Sequence, residues 1–314
     1  MVGVITISLE IELGWGYHDM GYYNRFSENR YRETKTLQRL LEACDELNIP
    51  LTFDVVGHLL EKQLPSQETP HREGWWDSIP SGCDSLFFAP DIVQAIQDSN
   101  TNHEICSHTY SHVLCKHVSN RVLEWELQRA NEVHQKIGEP KPVSLVPPRH
   151  SPPSKEVLKK SDVEIIRRLG YESAPTRLHK FNQLVFSPPD PIEPQLVDEI
   201  VETYCTKYST LSAASLPSGA EQPLFLFRSI PTSIRQWFHR RYLERAVLKV
   251  IRQDSYIHLW SHLHNIANDE QWSPIRSFLE IVAHWRDRGD LVVMPMSVLN
   301  KHIRAQPSGS NDQS

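Results

Sequence analysis

Short apolar runs alternate along this chain with longer stretches in which apolar residues recur every three to four positions, the pattern of buried strands and amphipathic helices taken in turn. The first run, residues 4–13, is interrupted by two carboxylates. Strand pleating sends Glu10 and Glu12 to one face and Leu9, Ile11 and Leu13 to the other. Residues 32–47 carry Leu37, Leu40, Leu41, Cys44 and Leu47 on one stripe, predicting a helix that stops before Pro50. Further strands are predicted over 51–56, up to Cys106, and over 143–146, 256–259 and 291–294. Helices are predicted over 90–97, 119–137, 154–169, 234–252 and 273–288, with Ser119 as a cap and Gly170 and Gly289 as stops.

Less regular stretches fall between them. Residues 65–90 form a long excursion, a short strand is expected just after Gly170, and the proline- and serine-rich stretch 175–221 reads as an insertion with one helical piece near 195–207. Repeated βα units with short buried strands imply a parallel sheet closed, or nearly closed, into a barrel. One catalytic domain is expected over 1–304, followed by a disordered tail, 305–314.

Composition narrows the function classes. A 314-residue chain with 39% hydrophobic and 23% charged residues is long enough to bury a large core, and a net charge of −6 argues against a nucleic-acid partner. The start runs directly into a strand with no leader pattern, and no apolar run is long enough to span a bilayer, so the expected location is cytoplasmic. Five cysteines (Cys44, Cys83, Cys106, Cys115 and Cys205) are odd in number and lack C-x2-C spacing, which points to reduced thiols; Cys115, beside the histidine pair, reads as a small buried hydrophobe rather than a ligand.

The chemistry lies in His103-Glu-Ile-Cys-Ser-His108-Thr-Tyr-Ser-His112. His108 and His112 are four residues apart, so a helical turn or a tight loop can aim both imidazoles at one ion. Two histidines with two carboxylates on one strand face suggest metal-assisted hydrolysis.

These residues also carry a resemblance. Ser8-Leu-Glu-Ile-Glu-Leu-Gly-Trp-Gly16, residues 50–60, 103–112 and 146–150, and Ile257-His-Leu-Trp-Ser-His-Leu-His-Asn265 resemble, in order, the five motifs of the polysaccharide deacetylase (NodB-homology, carbohydrate esterase family four-like) family. The resemblance spans residues 3–300 and implies a distorted (β/α)7 barrel with its site at the carboxyl ends of the strands. It implies that Glu10 is the general base, that Glu12, His108 and His112 hold a divalent metal ion, zinc being the expected one, and that His262 protonates the leaving amine. His258 and His264 lie close enough to contest that last role, although His258, by parity, belongs deeper in the barrel. The family's first acid is an aspartate, so Glu10 is one methylene longer. The family's base-orienting arginine aligns with Val146; Arg149, three residues on, either replaces it or binds substrate.

Trp15, Asp19 and Trp260 are carried as substrate contacts, although the aromatic loop around Trp15 serves equally to pack onto the barrel. Asp19 and Asp54 read as capping or loop carboxylates rather than catalytic ones. The implied reaction is removal of an N-acyl group, acetyl in the first instance, from an amino sugar or polysaccharide precursor. The alternatives are a metal-poor carbon–nitrogen hydrolase of the same fold (a deformylase or ureide amidohydrolase) and a non-catalytic carbohydrate-binding relative. The helix over 234–252 has six cations against one acid, with Trp237 and Phe238, and offers a weak membrane-surface or acidic-ligand contact; the alternative is a barrel helix with a solvated basic face.

Overall fold

The computed structural model describes residues 2–65, 68–77, 79–80, 82, 84–170 and 188–306. Its centre is β1 (Gly3–Ile11), which pairs in parallel with β2 (Thr52–Val55) on one side and β8 (Tyr256–His262) on the other. From β2 the sheet continues through β3 (Glu104–Ser107), β4 (Ser144–Leu145), β5 (Ile165–Leu169) and β7 (Ile200–Cys205), all parallel. β6 (Gln195–Val197) adds an antiparallel edge to β7, and β9 (Leu291–Val293) pairs with the start of β1. Among the described residues β7 and β8 share no ladder, so the barrel is open at that seam. Side chains and a loop bridge it instead: Thr203 Oγ1 lies 2.6 Å from the Tyr256 hydroxyl, and the amides of Thr210 and Leu211 donate to the Trp260 carbonyl. This is the distorted (β/α)7 barrel expected from the sequence.

The outer face of the sheet is apolar and is covered by helices. Ile5, Ile7, Leu9 and Ile11 of β1 form one buried cluster with Leu37, Leu40, Leu41 and Cys44 of α1 (Tyr31–Leu47) and with apolar residues of α3 (Pro90–Gln97), α7 (Thr232–Gln253) and α8 (Asp269–Asp287). The short α2 (Asp84–Phe87) closes part of the 65–90 excursion onto it. α4 (Asn120–Lys136) and α5 (Lys155–Lys160) cover β3 to β5 in a second cluster. Ser119 caps α4 as expected, its hydroxyl accepting from the Val122 amide. α9 (Met296–Ala305), which the periodicity did not reveal, plugs the amino-terminal end of the barrel with Met296 and Leu299. That plug leaves polar inward positions above it: Ser8 and Glu10 of β1, Asp54 of β2, Arg167 of β5, Thr203 of β7 and His258 of β8 are all buried.

Two predicted elements are wrong. Residues 154–169 are not one helix: α5 ends at Lys160, Asp162 turns the chain at φ 56°, and residues 165–169 are strand β5. The helical piece expected near 195–207 is the β6–β7 hairpin, and β7 belongs to the barrel rather than to an insertion. The strand expected just after Gly170 lies outside the described residues, as do Cys83 and residues 307–314. Among the described cysteines, Cys44, Cys106, Cys115 and Cys205 are free and buried.

Candidate active site

Register brings the acidic strand ends together before any long side chain is considered. Glu10 pairs across the ladder with Asp54 of β2 on one side and His262 of β8 on the other. Glu12 follows β1 in a short 3-10 turn, Leu13–Tyr17, and Gly16 leaves the room its carboxylate occupies, since a Cβ there would collide with the carboxylate carbon. Both glutamates are 3% exposed.

His108 and His112 sit on a loop after β3 rather than on a helical turn. Thr109 and His112 adopt left-handed backbone at φ 61° and 58°, a conformation non-glycine residues hold only when the surroundings fix it. Here the Thr109 and Tyr110 carbonyls accept from the amides of Gly57 and His58, and the buried Glu126 of α4 accepts from the amides of Tyr110 (2.9 Å) and Ser111 (2.7 Å) and from the Ser111 hydroxyl (2.6 Å). His71 Nε2 lies 2.8 Å from the other side of that contact, on Glu126 Oε1.

The result is a convergence of four groups. His112 Nε2 is 2.9 Å and His108 Nε2 3.7 Å from Glu12 Oε2, and His108 Nε2 is 3.6 Å from Glu10 Oε2. His262 Nε2 lies 3.1 Å from Glu10 Oε2 and 3.6 Å from Glu12 Oε1. One ligand atom from each of Glu12, His108 and His112 lies within 4.8 Å of the others, and the same holds for Glu10, Glu12 and His262. His108 Nδ1 donates to the Val146 carbonyl at 2.7 Å, which fixes the tautomer and leaves Nε2 as a bare lone pair. His108 Nε2 is buried without a hydrogen-bond partner among the described residues, and the equally buried His112 Nε2 has Glu12 Oε2 at 2.9 Å. Two buried imidazole nitrogens converging on an ionised carboxylate are the donor set a divalent cation such as zinc accepts, so these residues fit a metal ion.

A residue missed in the sequence organises the base. Arg167 of β5, 1% exposed, ion-pairs through Nη2 with Glu10 Oε1, lies 3.4 Å through Nη1 from Asp54 Oδ2, and donates to Ser8 Oγ at 2.9 Å. Burial works to raise the pKa of Glu10, but Arg167 and then His262 outweigh it and hold this carboxyl well below the usual range. Glu12 is likewise held low against burial, by His262 and His112. Asp54 goes the other way: burial pushes its carboxyl up to about 7 in spite of Arg167. Burial opposes a charge on His262, yet Glu10 and Glu12 raise it to about 9. The competing histidines are neutral: burial lowers His264 to about 3 and His258 well below its ordinary value. His258 lies below Glu10, its Nε2 2.9 Å from Ser8 Oγ, while His264 Nε2 lies 3.1 Å from the Tyr17 hydroxyl.

Several sequence expectations are redirected. Arg149 does not sit on the base: it donates to Asp19 and to the Gly16 carbonyl, at 2.6 Å and 3.0 Å through Nη2, and the guanidinium on Glu10 is that of Arg167. Trp15 is fully buried, packed edge-on against Phe87 and Trp76 with its Nε1 donating to the Phe87 carbonyl, so its ring has no face for a sugar. Trp260, 3% exposed, is a wall between His262, His150 and Arg167. Asp19 does line a cleft, of about 390 Å³, together with His18, Trp75, His112 and Leu114. Asp54 is no loop carboxylate but part of the buried network around Arg167.

Residues 19–174 match the family model described as polysaccharide deacetylase. Over those residues, just under half of the 314, the chain is similar to the polysaccharide deacetylase family. Its fold is that of a polysaccharide deacetylase crystal structure from Mycobacterium smegmatis, with TM-score 0.61 at 18% identity over 96% of this chain and 90% of that one. A Pseudomonas aeruginosa PAO1 polysaccharide deacetylase gives 0.60 at 11% identity, covering 97% and 92%. The Puue allantoinase gives 0.58 at 11% identity, covering 96% and 90%. No curated protein sequence matches the chain.

Proposed function

We propose that this protein hydrolyses the N-acyl amide of an amino sugar or its glycoconjugate, with acetyl as the acyl group, and that Glu12, His108 and His112 hold the divalent ion it uses. The observation that carries this reading is the convergence of the buried Nε2 atoms of His108 and His112 on Glu12, beside a second carboxylate, Glu10, that is itself tied to an arginine. A cation bound there supplies Lewis acidity, polarising an amide carbonyl and making water more acidic.

The remaining work belongs to the chain. Glu10 has one oxygen committed to Arg167 and presents the other, Oε2, to the space between His108 and His262. Held ionised, Oε2 takes the proton of the attacking water. His262, protonated and with its side chain 20% exposed, is the most accessible of the converging groups and delivers a proton to the departing amine nitrogen. Both carboxylates are 3% exposed and so held away from bulk water. Arg149 and Asp19, at the mouth, are placed to meet the sugar hydroxyls.

Acetate release from N-acetylglucosamine oligomers tests the reading, with Glu10→Gln as the variant. Glu10→Gln is expected to retain the ion and lose several orders of magnitude in kcat. Full turnover by Glu10→Gln, or turnover of a ureide that persists after chelation, contradicts it.

A further inference from the structure

The active site does not use the segment leading into α7 or the outer stripe of that helix. After β7 the chain crosses the seam, enters the short α6 (Phe225–Arg228) and then begins α7 at Thr232. Leu224, Phe225 and Leu226 are 59%, 81% and 72% exposed. Ile234 and Trp237, on the first turns of α7, are 45% and 53% exposed. Five large apolar side chains on two consecutive segments are thus left in solvent, exposure of a kind that marks interaction sites in water-soluble folds.

The same helix carries the cations. At 100° per residue, Ile234, Trp237, Arg241, Arg245 and Arg252 fall on one side of α7, opposite the buried Leu243, Ala246, Val247 and Val250. The stripe is therefore apolar at its start and basic along the rest. Arg235 is withdrawn, its Nη1 donating to the Ser215 carbonyl at 2.6 Å. Arg241 pairs with Glu244 at 2.6 Å, whereas among the described residues no carboxylate pairs with Arg228, Arg240, Arg245 or Arg252, although the whole chain has a net charge of −6. The apolar start lies at the rim where the strands end. β7 and β8 are parallel members of one barrel, so the intervening α7 begins at their carboxyl ends, and Arg235 and His239 tie that beginning to the 206–216 loop that bonds Trp260.

We propose that this surface docks the protein on an anionic lipid bilayer, the Leu224–Leu226 knob with Ile234 and Trp237 entering the interface and the arginines of α7 resting on acidic headgroups. Trp, Phe and Leu beside arginines are the composition of interfacial anchors, where apolar contact and charge attraction add. A nucleic acid would use the cations but not the aliphatic knob, and in a two-fold dimer of this chain the patch would meet itself and set arginine against arginine. Among the described residues no helix is long and apolar enough to cross a membrane, so contact of this kind is peripheral. The proposal is independent of the hydrolase reading.

Sedimentation of the full chain with vesicles of phosphatidylglycerol and phosphatidylcholine, against phosphatidylcholine alone, tests it. Binding is expected only to the acidic vesicles and is expected to fall with added salt. Phe225→Ser with Trp237→Ser, and separately Arg245→Glu with Arg252→Glu, should each weaken it at least about tenfold while leaving the thermal transition in place. Arg32→Glu with Lys35→Glu, an equal charge change on the exposed face of α1, should leave binding intact. Absence of binding to acidic vesicles, equal weakening by the α1 pair, or a wild-type dimer dissociated by the Phe225/Trp237 variant would overturn the proposal.

Discussion

Replacing Arg167 with Met removes the only guanidinium on Glu10 among the described residues while keeping an unbranched, flexible stem. Arg167 is 1% exposed and stands between two buried carboxylates, so the variant leaves Glu10 and Asp54 facing each other without their cation. Breaking a buried pair of this kind costs about 3–5 kcal/mol. At roughly 2 °C per kcal/mol for a chain of this size, Tm falls by about 6–10 °C. The base is affected as well. Burial already works to raise the Glu10 carboxyl and Arg167 is the largest opposing influence, so its loss moves the acid limb of kcat/KM towards alkaline pH, at tenfold in rate for each unit that Glu10 climbs past the assay pH. Asp54 absorbs part of the damage. Its folded pKa of about 7 lies above its unfolded value, so its neutral form stabilises the fold at low pH and that advantage is lost as pH rises through about 7. Asp54→Asn alone is therefore mild, and Arg167→Met with Asp54→Asn should lose less stability than the two single losses added. Calorimetry and the pH profile of acetate release read both effects. An Arg167→Met protein with unchanged Tm and an unmoved acid limb would refute the reasoning.

His262 is charged below about 9 because Glu10 and Glu12 outweigh burial, so kcat/KM should fall through an alkaline limb near 9, and His262→Asn should remove that limb with ion content unchanged; a limb that survives the substitution assigns the acid elsewhere. Glu126→Ala leaves the Tyr110 and Ser111 amides buried without their acceptor, at about 1–3 kcal/mol each, and should weaken ion affinity by about 10–100-fold in chelator competition; unchanged affinity would mean that the loop holds its shape without it.

What was legible in the sequence followed from local periodicity. The pleat of β1 put Glu10 and Glu12 on one side, the stripe of α1 lay as drawn, and parity placed His258 below His262. What was missed depends on partners distant in the chain. Arg167 in Ile165-Ile-Arg-Arg-Leu169 fell inside a predicted helix, and a cation inside a barrel makes sense only once the carboxylates of β1 and β2 are known to face it. Two signals were available there: the β-branched pair Ile165-Ile166, and Ser161-Asp162 as a break after Lys160. Ile200-Val-Glu-Thr-Tyr204 has the same β-rich character and was hidden by its proline-rich surroundings. Glu126 could have been flagged as an acid inside the apolar stripe Val122, Leu123, Leu127 and Ala130. Trp15 was drawn towards substrate by the aromatic density of its loop, but the 3-10 turn after β1 carries its ring into the core.

The central claim is that one divalent ion sits on Glu12, His108 and His112 while Glu10 stays free on Arg167. Anomalous diffraction at the zinc edge, from crystals grown with zinc, tests it most directly. The account predicts a single peak bonded to Glu12 and to Nε2 of both histidines, abolished in His108→Ala and His112→Ala. A peak between Glu10, Glu12 and His262, the other cluster with suitably close ligand atoms, would exchange the roles of base and ligand and contradict the mechanism.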